Sequence, residues 1–440
     1  MSTSIAVMAR SVNEYREWIG GEAIESLERL AAPLKGCRVL HLSAQRARPG
    51  LSDTLDSLIS LSLSMGMAAE WRAIPAGPQL TPVERTLNLA LDGHFVEWTP
   101  KLWDLWLGRN RDLAELSLKD YDFVVVHGVE LAGVLAGMSS NGGIGHTKWI
   151  WHCHSDLEQA QPDIRDFLTL YTRGYHMTIT SGLRRGDADP RNPHRFAPPA
   201  IDPLSLQNHS MSLAAGEAVL SQSGLDPRRP FVMLILCDNH FASPALGGFR
   251  LAKAQLPEMQ LLILVMDSGN VRWNMPYPSS GANGLGQEYR LLAADSIGTL
   301  EKSVLQGSAL AVLDSSDDEV LVPTLLNAMW KERPVIVGNV TAARLGITDE
   351  QNGYIGRSPE EYGRRLVRLV TSPPTAKTIG RAAREHVRRD FLVTRLLHAY
   401  LSTLLDLTDR GPVAGAESRH RVVCTAKTIA KSKALRGAVL

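Results

Sequence analysis

Two apolar strings in the first half of the chain end on histidine. DYDFVVVHG places His127 at the end of a run of strand formers, and KWIWHCHSDL carries His152 and His154 with Asp156 close behind. An imidazole at a strand end can make hydrogen bonds or carry a proton near neutral pH. Taken alone, a histidine in such a place is more often structural than functional. Arg46 and Arg48 lie in AQRARPG, after the apolar run CRVLHLS. Their guanidinium forks suit a phosphate group, and solvated loop arginines are the plainer alternative. Asp317, Asp318 and Glu319 form an acidic run after ALAVLDSS, which reads either as a solvated turn or as carboxylates presented at a strand end. No carboxylate or histidine cluster stands out along the sequence, so no metal is expected. The four cysteines (Cys37, Cys153, Cys237, Cys424) have no CxxC spacing, which argues against both a zinc site and a disulfide framework and fits a reducing cytosol.

The elements that must position these groups follow an alternating pattern. Strand candidates occur at 37–43, 70–75, 120–128, 147–154 and 177–181, with an amphipathic helix from about Ser52 to Met67. A segment rich in proline and polar residues, HRFAPPAIDPLSLQNHSM (194–211), then precedes a second series at 230–237, 259–267, 309–316 and 333–339. Apolar strands separated by helices predict parallel sheets covered on both faces, whose ligands bind at the carboxyl ends of the strands. From about Ser358 the pattern is helical. The tail from Gly411, with six Lys or Arg residues and one acid, reads as a mobile extension.

The 440-residue length favours two domains. With 44% hydrophobic and 21% charged residues and a net charge of +1, the composition is that of a globular protein with no electrostatic pull toward nucleic acid or an anionic membrane. No apolar run approaches the roughly 18 residues of a membrane helix, and no signal peptide is evident at the amino terminus. The expected location is the cytoplasm.

Three strings carry a family resemblance: GGEAIESLERLAAPLKGCRVLHL (20–42), KWIWHCHSDL (148–157) and PPAIDPLSLQN (198–208). With NAMWKERPVIVG (327–338), they make the chain resemble trehalose-synthase-type glycosyltransferases, within the retaining family 4 of the GT-B class, in order from roughly Asn13 to Leu407. The resemblance implies an α/β protein of two Rossmann-like, doubly wound parallel-sheet domains facing a cleft. The expected division is an acceptor domain (1–205), a nucleotide-sugar domain (206–390), a helix returning to the first domain (391–410) and a basic tail (411–440). It also implies a metal-independent reaction without cofactor, in which side chains and helix ends stabilise a leaving nucleoside diphosphate. A homodimer is possible.

Carried over position by position, the resemblance assigns His154 and Glu319 to the reacting sugar. It places Gly50 and Asn327 at the donor, where Arg46 and Arg48 add guanidinium groups of their own, and sets His127, His152 and Asp156 at the acceptor or sugar, with His152 standing where relatives tend to carry arginine. It also exposes departures. Arg48, Pro49 and Gly50 stand where the family has three glycines, and Cys237 and Ala242 stand where an Arg/Lys pair grips the diphosphate. Asn327 replaces a ribose-binding glutamate, Val320 and Val322 replace glycines, and Gly128 takes the place of an acid. Two readings result. One is an active transferase with a non-standard donor pocket, moving a sugar from a GDP-, UDP- or ADP-linked donor to a small-molecule alcohol or thiol. Its setting would be specialised, antibiotic-type metabolism, as in the S-glycosyltransferases of lincosamide assembly. The other is an inactive relative serving as a regulatory or assembly partner.

Overall fold

The computed structural model describes residues 3–7, 9–44, 51–75, 77–91, 93–113, 116, 118, 120–140, 145–181, 193–209, 212–237, 243–266, 289–316 and 321–409. Strands β1 (Thr3–Ile5), β2 (Arg38–Ala44), β3 (Ala68–Ile74), β4 (Phe123–His127), β5 (Lys148–Cys153), β6 (Met177–Thr180) and β7 (His194–Phe196) build a first sheet in the order β1-β3-β2-β4-β5-β6-β7. Apart from β1, which runs antiparallel to β3, all neighbours are parallel.

Side chains alternate between the two faces of a strand, and the burial of this sheet follows that period. Leu40, Leu42, Val124, Val126, Trp149 and Trp151 enter one core, with Leu87, Trp106 and Ile164 from the covering helices. The intervening Val39, Val125, Ile150 and Ile179 enter another core on the opposite face. There they meet Ile24 of the helix Arg16–Ala31, Leu58 of the helix Leu51–Ser64, and Leu397, Tyr400 and Leu401 of the terminal helix Val393–Asp409. Burial on both faces is why these strands read as near-continuous apolar runs.

The second sheet has the same logic. Strands β8 (Phe231–Leu236), β9 (Gln260–Val265), β10 (Tyr289–Ala293), β11 (Val312–Leu313), β12 (Val335–Val337) and β13 (Tyr354–Ile355) lie in the order β10-β9-β8-β11-β12-β13, all parallel. Met233, Ile235, Leu262 and Val335 point to one core, while Val232, Leu234, Ile263 and Ile336 point to the other. In both sheets the chain winds outward in one direction and then returns. Strand order therefore reverses between β2 and β4 and again between β8 and β11, and the carboxyl ends at those reversals are where a ligand crevice opens.

The chain crosses back after the second sheet. The Ile201 N–H donates to Phe391 O at 2.9 Å, and the Val393 N–H donates to Ile201 O at 2.9 Å. The terminal helix then packs against the first sheet. Asp202, at the start of the connecting segment, is 3% exposed, and its carboxylate accepts from Arg10 Nη1 (2.5 Å), Ser57 Oγ (2.7 Å), Tyr15 Oη (2.9 Å) and Leu204 N (2.8 Å). The AIDP string thus fixes the first sheet's amino-terminal helices to the start of the connection.

Candidate active site

Where the first sheet reverses order, four histidines converge: His41 in the middle of β2, His127 and His152 near the carboxyl ends of β4 and β5, and His154 just beyond β5. His41, His127 and His152 occupy the alternate positions that face the terminal helix, continuing the rows begun by Val39, Val125 and Ile150. His127 and His152 are register partners on adjacent strands. Histidines far apart in sequence thus meet because strand order makes β2, β4 and β5 neighbours. The expectation that no histidine cluster exists is corrected by this convergence.

The rings form a hydrogen-bonded row. His41 Nδ1 lies 3.0 Å from His127 Nε2, and His127 Nδ1 lies 3.1 Å from His154 Nε2. The rings of His41 and His127 stack at 5.3 Å between centroids, and those of His127 and His154 do likewise at 5.3 Å. A neutral imidazole carries one N–H and one lone pair, so the row closes in either direction without any ring being charged. Burial enforces this. It lowers the His41 pKa to about 3 and holds His127 and His152 well below the usual range, with the neighbouring imidazoles adding to the effect. His152 binds protein through both nitrogens: Nδ1 meets Tyr400 Oη at 2.5 Å, and Nε2 meets Ser181 Oγ at 2.9 Å. Burial also raises the Tyr400 hydroxyl well above its normal range, so it remains protonated. His154 is the partly exposed member of the group. It offers the surface from which a substrate can be touched.

Local backbone explains the placement. Gly128, at φ 84°, turns the chain immediately after His127. Its N–H donates to His152 O at 3.0 Å, and its carbonyl accepts the Trp151 indole N–H at 2.8 Å, locking the β4 and β5 ends together. Asp156, 3% exposed, accepts the Glu158 N–H at 3.1 Å and shapes the turn that follows His154.

The second sheet brings a different group to its reversal point. Asp314, fully buried just beyond β11, accepts from Ser316 N (2.8 Å) and Ser316 Oγ (2.7 Å) on one oxygen and from Thr341 Oγ1 (2.9 Å) on the other. Tyr362 Oη donates to its backbone carbonyl at 2.5 Å. This fixes the chain immediately before the acidic run. Cys237 follows β8 at the same edge, half-buried against the core, where the resemblance leads one to expect a cation. Asn327 is not gathered with the histidines. Its Oδ1 accepts from Asn208 Nδ2 at 2.9 Å, and its carbonyl is 3.4 Å from Lys331 Nζ. Arg46, Arg48, Gly50, Glu319, Val320 and Ala242 lie outside the described residues, as does the 411–440 tail.

A cavity of about 970 Å³ lies at the other end of the second sheet, lined by residues that precede β8 (Arg229, Pro230) and β12 (Arg333) and by Trp18, Trp330 and Lys331. Amino ends of parallel strands are not where such sheets bind substrate. His41, Ser181, Asp314 and Tyr400 escaped sequence reasoning. The available signal was a polar residue in a row where the strand period demands an apolar one.

No helix among the described residues is long and apolar enough to cross a membrane. Residues 41–184 match the family described as the trehalose synthase N-terminal domain. The chain is 28% identical over 398 residues to a trehalose synthase of Rubrobacter xylanophilus, covering 88% of this chain and 95% of that protein. It is 26% identical over 407 residues to one of Pyrococcus horikoshii, covering 90% and 97%. Among solved structures, an Escherichia coli trehalose-6-phosphate protein bound with UDP-2-fluoro glucose superposes with a TM-score of 0.61 at 14% identity, over 86% of this chain and all of that one. Sucrose-phosphate synthase of Thermosynechococcus elongatus gives 0.58 at 15% identity, over 85% of this chain and all of that one. The amino-terminal match and the similarity along nearly the whole length of the relatives support a glycosyltransferase that is similar to trehalose synthases, and the superpositions show the GT-B fold.

Proposed function

We propose that the protein transfers a sugar from a nucleoside-diphosphate donor to a hydroxyl or thiol of a small-molecule acceptor, with a donor pocket unlike that of its relatives. The observation that carries this reading is the histidine row ending on His154 at the carboxyl edge of the first sheet. It supports a neutral hydrogen-bonding group for a sugar or acceptor at the place where an acceptor would sit. With Nε2 bonded to His127, the imidazole at the end of the row can donate to or accept from one substrate oxygen through its other nitrogen, according to the direction of the row. The departures at Cys237, Ala242 and Asn327 favour a donor or acceptor other than those of trehalose synthesis, as in specialised metabolism. In this reading Arg46 and Arg48 supply the cationic grip on the diphosphate, and Glu319 meets the donor sugar.

The test is calorimetric titration with UDP, GDP and ADP, followed by product analysis with the sugar nucleotide of whichever base binds. Binding by one nucleotide, weakened in an Arg46→Ala/Arg48→Ala variant, and turnover lost in Glu319→Ala are the expected results. Absence of binding to all three, or turnover unchanged without Glu319, would refute the reading.

A further inference from the structure

We infer that the cavity at the amino ends of the second sheet is a binding site for a phosphorylated sugar, separate from the crevice where sugar transfer is proposed. Its volume is about 970 Å³, and small-molecule sites span roughly 300–1,000 Å³. Five cationic side chains line it, those of Arg228, Arg229, Lys331, Arg333 and Arg384, against the single carboxylate of Glu217. A wall so unbalanced in charge attracts an anion.

The partners of these cations show where the anion would sit. Arg229 is matched by Glu258 at 3.1 Å, and Arg384 lies 3.3 Å from Glu332. Among the described residues, neither Lys331 nor Arg333 forms an ion pair. Arg333 donates to main-chain carbonyls, from Nε to Lys331 O at 3.0 Å and from Nη1 to Ala309 O at 3.5 Å. A guanidinium carries five N–H donors in a fork that matches phosphate, so these two contacts leave it capacity for one. Lys331 meets neutral acceptors, and the longest contact, to Asn327 O at 3.4 Å, is weak enough to be exchanged for a phosphate oxygen. Burial lowers the Lys331 pKa to about 7, and a bound anion would supply the countercharge that favours its ammonium form.

The rest of the wall suits a sugar. Trp18 and Trp330, in edge contact at 6.0 Å between ring centroids, offer aromatic surface to the C–H face of a pyranose. The Arg384 guanidinium lies 4.7 Å from the Trp330 ring centroid, so cationic and aromatic surfaces adjoin. Ser212 and Ser308 line the same cavity and can pair with sugar hydroxyls.

The test does not use turnover. The full chain is titrated calorimetrically with glucose 6-phosphate as the probe, and in parallel with glucose, inorganic phosphate and AMP. One equivalent of glucose 6-phosphate per chain is expected. Glucose and inorganic phosphate, each lacking half of the contacts, should bind at least about tenfold more weakly, and AMP more weakly than the sugar phosphate. Lys331→Met should weaken the probe about tenfold. Arg384→Gln, at a side chain 43% exposed whose loss spares the core, should weaken it about fivefold. Arg46→Ala/Arg48→Ala should leave this binding unchanged, which separates the cavity from the donor crevice and its failure from that of the proposed function. No binding of the probe, inorganic phosphate or AMP binding as tightly as the probe, or binding lost with Arg46 and Arg48 but kept in Lys331→Met and Arg384→Gln would overturn the assignment.

Discussion

Asp202 offers the sharpest test of what holds the first half of the chain to the segment that leaves it. Its carboxylate is 3% exposed and receives Arg10, Ser57, Tyr15 and the Leu204 amide. These donors are not equivalent. The Arg10 side chain is 32% exposed, so in the absence of Asp202 it can turn to water, and its share of the loss is about 1 kcal/mol. The Tyr15 and Ser57 hydroxyls are buried and have no such escape, so each stranded donor costs roughly 1–2 kcal/mol. Asp202→Ala should therefore lower stability by about 4 kcal/mol, within the range for breaking a buried charged network. Asp202→Asn keeps one acceptor oxygen for Tyr15 and Leu204 and should cost about 2 kcal/mol, while Arg10→Met should cost about 1 kcal/mol. Urea unfolding followed by tryptophan fluorescence and far-ultraviolet circular dichroism gives the three values under one set of conditions. An Ala variant within about 1 kcal/mol of the parent, or an Arg10 variant as damaged as the Ala variant, would refute this division of the energy.

Two further outcomes follow from packing and charge. Burial lowers the Lys331 pKa to about 7, while among the described residues its ammonium meets neutral acceptors: Gln306 Oε1 at 2.8 Å, Asn208 Oδ1 at 3.2 Å and Asn327 O. Between pH 7 and 9 the unfolded chain keeps that proton and the folded chain releases it, so stability should rise with pH, by about 1–2 kcal/mol after allowing for water at the cavity mouth. The rise should vanish in Lys331→Met; an equal rise in both proteins, read from urea midpoints at the two pH values, would refute it. Gly380 lies against the turn after Trp330, and a Cβ there would come within 2.1 Å of Glu332 O. Backbone cannot yield as a flexible side chain does, so Gly380→Ala should cost about 2–3 kcal/mol, and a melting temperature equal to the parent's would contradict the packing.

How much of this was legible before any coordinates can be argued element by element. The strands at the centre of each sheet, such as FVVVH and FVMLIL, are buried on both faces and announce themselves as apolar runs. Edge strands do not. The burial of His194–Phe196 and of Tyr289–Ala293 is intermediate throughout, so their sequences carry no two-sided apolar signal, and β1 is three residues long. The candidate site divides in the same way. His127, His152 and His154 could be singled out because each ends an apolar run. Their union with His41 and Tyr400 depends on strand order and on a helix nearly 250 residues further on, neither of which local sequence encodes. For Asn327, aligned spacing suggests a ribose contact, and its side-chain oxygen accepts from Asn208.

The terminal helix links the fold to the chemistry. Its sequence follows the second sheet, yet Leu397, Tyr400, Leu401 and Leu404 are buried in the core that covers Val39, Val125, Ile150 and Ile179 of the first. Mechanically it belongs to the first sheet. One of its residues, Tyr400, also carries the hydroxyl that sets the His152 ring, and its ring centroid lies 5.8 Å from that of His41. The histidine row therefore cannot form its full set of partners until the chain has completed the second sheet and returned through the Ile201–Phe391 crossing. A fragment ending before Val393 would expose the face of the first sheet that this helix covers and remove the Tyr400 partner of His152. The candidate acceptor site is thus a property of the whole chain, although every one of its histidines lies in the first half.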